Sequence, residues 1–135
     1  MTRQFAKNIE SLDAIFDYIT KFAESHRVNP EITRELHFGV EEVFTNMVRY
    51  NPESANDVTI ELAIDGGLFA ISVADHGVHS YDPTKRPPAD IQQPLHERTP
   101  GGLGIHLVRE MMDDVQYRYD NGTATITLVK RLGDK

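Results

Sequence analysis

Apolar residues fall first into helical stripes and then into alternating runs. Leu12, Ile15, Phe16, Ile19, Phe22 and Ala23 repeat at spacings of 3, 4 and 7, which predicts an amphipathic helix from Ser11, a candidate N-cap, to about His26. Residues 3 to 9, short and mixed, fit an edge strand ahead of it. Asn29-Pro30 punctuates the chain, with Pro30 suited to a first helical position, and a second helix runs to about Tyr50 before Asn51-Pro52 stops it. Its core face is Ile32, Leu36, Val40, Val43 and Met47. At about 100° per residue, Glu35, Glu42, Asn46 and Arg49 fall on a different face, with Glu42 and Asn46 one turn apart.

From Asp57 the period changes to two. Val58, Ile60, Leu62 and Ile64 alternate with polar or small residues, Asp65-Gly66-Gly67 follows, and Leu68 to Ala74 alternates again, which predicts an antiparallel hairpin. Its second strand runs into Asp75-His76-Gly77, so a carboxylate stands where strand gives way to loop. Residues 78 to 100 hold five of the seven prolines and no period. A loop of that length inside a compact domain is expected to work as a lid or binding loop. Thr99-Pro100-Gly101-Gly102-Leu103-Gly104 then leads into an apolar-periodic run of Leu103, Leu107, Val108, Met111 and Met112, a helix to about Asp113. A permissive backbone at a helix N-terminus, where N–H groups lack partners, can hold an anion. Val115 to Asp120 and Thr123 to Arg131 form a second hairpin around Asn121-Gly122, a type I′ signature, with Thr123, Thr125 and Thr127 on its polar face.

Strand pairs joined by tight turns, with helices gathered on one face, define an α+β two-layer sandwich: a mixed, mostly antiparallel sheet carrying about three helices. At 135 residues the chain fits one domain over 1–135, able to bury roughly two-thirds of its unfolded surface. A net charge of −7 argues against a nucleic-acid or anionic-membrane surface and points to protein or small-molecule partners. The absence of cysteine excludes a disulfide framework and a thiolate metal site or nucleophile. With no apolar N-terminal core and no run long enough to span a bilayer, the expected location is cytoplasmic.

No G-x-x-x-x-G-K-[ST] is present, and the glycines at 101, 102 and 104 follow no strand, so neither a P-loop nor a dinucleotide fingerprint fits. His76 and His79 have a ligand-like spacing but no third ligand. What remains, in order, is Glu42 and Asn46 on a helix, Asp75-x-Gly77 after a strand, a long loop with Arg98, Gly101-Gly102-Leu103-Gly104 opening a helix, and Gly122-Thr123 in a final hairpin. From about Phe5 to Lys130 this series resembles the GHKL (Bergerat-fold) ATPases. Within them it is most similar to the small stand-alone anti-sigma-factor serine kinases.

The resemblance implies roles at matching positions. Glu42 becomes the general base that takes the proton of water or of a protein serine, and Asn46 the ligand of a Mg²⁺ held by the triphosphate of ATP. Asp75 accepts from the adenine amino group, and Gly77 lets the backbone approach the base. Gly101, Gly102, Leu103 and Gly104 cradle phosphates, Arg98 reaches the γ-phosphate, and Thr123 supports the adenine. Two positions depart from the family pattern: Tyr50 stands where relatives carry His, and His79 where a second glycine is expected. The implied activity is ATP- and Mg²⁺-dependent phosphorylation of a STAS-type anti-anti-sigma partner, with a sigma factor as a further partner. The rival is a non-catalytic partner-switching module that binds ATP or ADP. Such relatives are often homodimers, and the first helix face and the edge strand near Phe5 are the candidate contacts.

Overall fold

The computed structural model describes residues 1–50, 57–77 and 102–133; the side chains of Tyr50 and of residues 102–105 lie outside that description. Five strands, β1 (Thr2–Phe5), β2 (Val58–Asp65), β3 (Leu68–His76), β4 (Asp114–Asp120) and β5 (Thr123–Arg131), form one sheet in the order β1-β2-β3-β5-β4. Every pairing among these strands is antiparallel, so the mixed component expected of the sheet is not found among the described residues. Among the described residues three helices, α1 (Leu12–Ser25), α2 (Pro30–Tyr50) and α3 (Gly102–Met111), accompany it, and a 3₁₀ turn over Ile9–Ser11 joins β1 to α1.

Both tight hairpins follow from their turn residues. Gly66 and Gly67 have φ of 59° and 78°, Asn121 and Gly122 have φ of 51° and 80°, and two consecutive positive φ values give the type I′ geometry that matches strand twist. Ser11 does not cap α1 with its side chain as expected; its Oγ instead donates to the Ala6 carbonyl at 2.8 Å, closing the β1–α1 connection. Asn29 does cap α2, its Oδ1 accepting from the Glu31 N–H at 2.8 Å behind Pro30.

The core lies between the helices and one sheet face. Ile15, Ile19 and Phe22 of α1, Leu36, Val40, Val43 and Phe44 of α2, and Val108 of α3 bury against Ile60, Leu62, Phe69, Ile71, Val73, Ile126 and Leu128. Phe44, outside the expected stripe, is fully buried, whereas Ile32 is only partly so. Leu107, read as a core position of α3, is 48% exposed, because Val108 and Met112 take the inward side. Gly39 lets α2 approach closely: a Cβ there would stand 2.8 Å from the Leu128 methyl group. The segment 78–100 with its lid assignment, together with Arg98 and Gly101, lies outside the described residues, as does His79.

Candidate functional site

The contacts of α2 and α3 fix which end of the helix layer holds the chemistry. Glu35 pairs with Lys130 at 3.0 Å, and Gly39 packs on Leu128, so α2 advances from the C-terminal end of β5 toward its beginning. At about 1.5 Å per helical residue and about 3.3 Å per strand residue, Asn46 comes level with Ala124 or Thr125 and Glu42, about two strand residues back, with Ile126 or Thr127. Ala124 is the register partner of Asp75. α3 runs the other way: Lys130 Nζ donates to the Met111 carbonyl at 2.8 Å and Asp113 N–H to the Val129 carbonyl at 2.9 Å, so its C-terminus is at the far end of β5. Its opening turn, with Gly102, Leu103 and Gly104, is thereby brought to the Asp75 end, and the first N–H groups of that turn have no intrahelical acceptor. Glu42, Asn46, Asp75 and the start of α3 thus converge at one end of the seam between α2 and α3.

Each residue there is in an unusual state. Asp75 continues the inward series Phe69, Ile71, Val73 on β3 and is 1% exposed, a carboxylate where the period calls for a core hydrophobe. Asn46 is 3% exposed, and neither its Oδ1 nor its Nδ2 has a hydrogen-bond partner among the described residues. A buried amide left unsatisfied costs about 1–3 kcal/mol, so its retention points to a ligand. An amide oxygen suits a hard cation such as Mg²⁺, so the donor set fits the metal that the resemblance implies. Glu42 is half-buried one turn before it. Desolvation raises its pKa above the ordinary value of 4.5, the neighbouring Glu41 charge adds to the rise, and Arg49 opposes it. Gly77 follows the end of β3 with φ of 68°, a backbone turn that a side chain would strain.

Other assignments fall elsewhere. Thr123 stands opposite His76, not Asp75, and its Oγ1 lies 3.1 Å from His76 Nδ1, while Thr59 Oγ1 lies 2.8 Å from His76 Nε2. This cluster is on the face of the sheet away from the helices, so the structure does not bring the Thr123 hydroxyl to Asp75. A concavity of about 820 Å³ on that same face is lined by Thr59, Ser72, Thr125 and Thr127 and holds none of Glu42, Asn46 and Asp75. Among the described residues no group of three metal-ligating side chains occurs. Glu35, on the polar face of α2, serves the far end with Lys130.

Sequence reading missed Lys7. Its Nζ lies 2.8 Å from Asp75 Oδ1, with the two side chains 3% and 1% exposed. In sequence Lys7 sits in a mixed stretch without period, and only the register Phe5–Val58–Asp75 across β1, β2 and β3 brings it near the carboxylate.

Comparison with known proteins gives the family and the fold. The family described as the Histidine kinase-like ATPase domain matches residues 5–130. The chain is 30% identical over 96 residues to the serine-protein kinase RsbW of Bacillus cereus, covering 68% of this chain and 60% of that protein. It is also 30% identical over 111 residues to the RsbW of Listeria monocytogenes, covering 78% and 69%. A solved structure of the RsbU and RsbW domains of Rv1364c from Mycobacterium tuberculosis superposes with a TM-score of 0.71 over 98% of this chain and 31% of that one, at 13% identity. Similarity at that level shows a shared fold.

Proposed function

This chain belongs to the histidine kinase-like ATPase domain family, and from that premise we propose that it is an ATP- and Mg²⁺-dependent protein serine/threonine kinase of the anti-sigma-factor type. Its substrate is a serine or threonine hydroxyl of a STAS-type anti-anti-sigma protein, and a sigma factor is its second partner. The naming of the RsbW relatives as serine-protein kinases supports the reading. The observation that carries it is the buried, unpartnered amide of Asn46 at the end of the seam where Asp75, Glu42 and the opening turn of α3 meet.

In this mechanism Asp75 accepts a hydrogen bond from the adenine amino group, and a base without that donor forgoes the contact. The N–H groups at Gly102, Leu103 and Gly104 receive phosphate oxygens at the positive end of α3. Asn46 is the residue that would hold Mg²⁺ through its Oδ1, and the bound ion would supply charge neutralisation along the triphosphate. Glu42 accepts the proton of the attacking hydroxyl as that oxygen bonds to the γ-phosphorus and the bond to the bridging oxygen breaks, releasing ADP. Desolvation makes the Glu42 carboxylate a stronger base than an exposed one. Arg98 and Gly101, from the resemblance, complete the γ-phosphate contacts.

Incubation with γ-labelled ATP, Mg²⁺ and the STAS proteins of the same genome tests the assignment. Transfer of label to one of them, lost in Glu42→Gln, is the expected result. A thermal shift with ATP but no transfer to any partner makes the chain a nucleotide-binding switch without kinase activity.

A further inference from the structure

Lys7 is buried at the same end as Asn46 and Asp75, and its surroundings do not account for it. The connector that carries it is fixed: Ala6 accepts from Asn8 N–H at 2.8 Å and from Ser11 Oγ at 2.8 Å, and Asn8 Oδ1 accepts from Glu10 N–H at 2.9 Å. Those contacts turn the Lys7 side chain onto the helix-covered face, where its Nζ reaches Asp75 Oδ1 at 2.8 Å. The contact lacks hydrogen-bond alignment, and no other acceptor among the described residues engages the ammonium. An ammonium group has three N–H donors, and burying it with them uncommitted is costly. Lys130, the lysine at the other end of the seam, has two acceptors, the Met111 carbonyl and Glu35.

Asp75 and Lys7 therefore present an acceptor and a donor side by side. An adenine ring offers the complementary pair on one edge, the N6 amino donor beside the N1 acceptor. We infer that Lys7 is a specificity-determining residue for the nucleotide base, donating to adenine N1 while Asp75 accepts from N6. This rests on the nucleotide-site reading above and adds a direct charged donor from the β1–α1 connector. The connector, and through it the β1 edge of the sheet, is thereby coupled to occupation of the site.

Nucleotides lacking N1 isolate the contact. In calorimetric titration of the full chain, 1-deaza-ADP, in which N1 is a C–H, binds more weakly than ADP by roughly tenfold or more, whereas 7-deaza-ADP, which keeps N1, binds within about twofold of ADP. In Lys7→Met the 1-deaza penalty falls to within about twofold. Had Lys7 only held Asp75 in place, the variant would weaken ADP and 1-deaza-ADP alike and keep the ratio; that result overturns the inference. So does 1-deaza-ADP binding to the wild type as tightly as ADP, a measurement that needs no variant to fold. Absence of ADP binding to the wild type instead removes the nucleotide-site reading itself.

Discussion

The two ends of the seam between α2 and α3 are built from the same kinds of residue and differ in how completely those residues satisfy one another. At the far end, Lys130 is 13% exposed and ties three elements together, donating to the Met111 carbonyl and pairing with Glu35. At the near end, Lys7 and Asp75 are more deeply buried, and among the described residues the ammonium has one counter-charge and Asn46 has no partner for either amide atom. A polar group kept only for folding ends like Lys130, with its donors used. The near end keeps donors and acceptors in reserve at a cost in stability, which is the signature of a site shaped for something else.

Replacing the base tests the near end most severely. Glu42→Gln keeps the shape of the side chain and is expected to lower phosphotransfer by about 10²- to 10⁴-fold in labelled-ATP assays, with ATP affinity within about twofold of wild type. In wild type the acid limb of the pH–rate profile lies above the ordinary carboxylate value of 4.5, because the base must be ionised and its pKa is raised. The sign for stability is the reverse: a carboxyl whose pKa rises on folding stabilises the fold while protonated, and that contribution is lost as pH rises through the folded value.

The buried pair is next. Asp75→Ala leaves the Lys7 ammonium without its counter-charge and is expected to lower the unfolding free energy by about 3–5 kcal/mol in urea titration. A Lys7→Met and Asp75→Leu double variant recovers much of that loss, since both charges are then gone; a double variant as unstable as the sum of its parts contradicts the pairing. Asn46→Leu removes the orphaned amide at similar volume. It is expected to raise the stability of the ligand-free protein by about 1 kcal/mol while abolishing Mg²⁺-dependent gain in ATP affinity. A loss of stability instead would mean that Asn46 is held for folding, like the far end. Lys130→Met, at the satisfied and partly exposed end, is expected to cost only about 1 kcal/mol and to leave nucleotide binding unchanged by calorimetry.

Much of this was legible in the sequence because it is local. The stripe from Leu12 to Ala23, the Asn29-Pro30 start of α2 and the Asn121-Gly122 turn are each set by neighbours within a few residues, and each is found where the pattern puts it. The order of Glu42, Asn46, Asp75 and the α3 glycines was also readable, as was the carboxylate at the end of β3. What escaped was what the sheet assembles. Lys7 meets Asp75 only through pairings that join residue 5 to 58 and 58 to 75, and a lone lysine beside a turn reads as solvated. The helical period places Asn46 off the apolar stripe of α2, and its depth comes from tertiary packing: the close approach at Gly39 draws the helix onto β5 and buries it. The resemblance gives Thr123 a role in supporting the adenine, while strand alternation turns its hydroxyl to His76, on the sheet face opposite to Asp75.

The central claim is that the near end of the seam is a nucleotide site completed by Asn46. Thermal unfolding of wild type and Asn46→Leu with and without ATP and Mg²⁺ tests it most directly. The account predicts that ATP with Mg²⁺ at about a hundred times the dissociation constant stabilises the wild type by about 2.7 kcal/mol, a rise of several degrees, and that the Mg²⁺-dependent part is absent in the variant. An equal Mg²⁺-dependent rise in both proteins would contradict it.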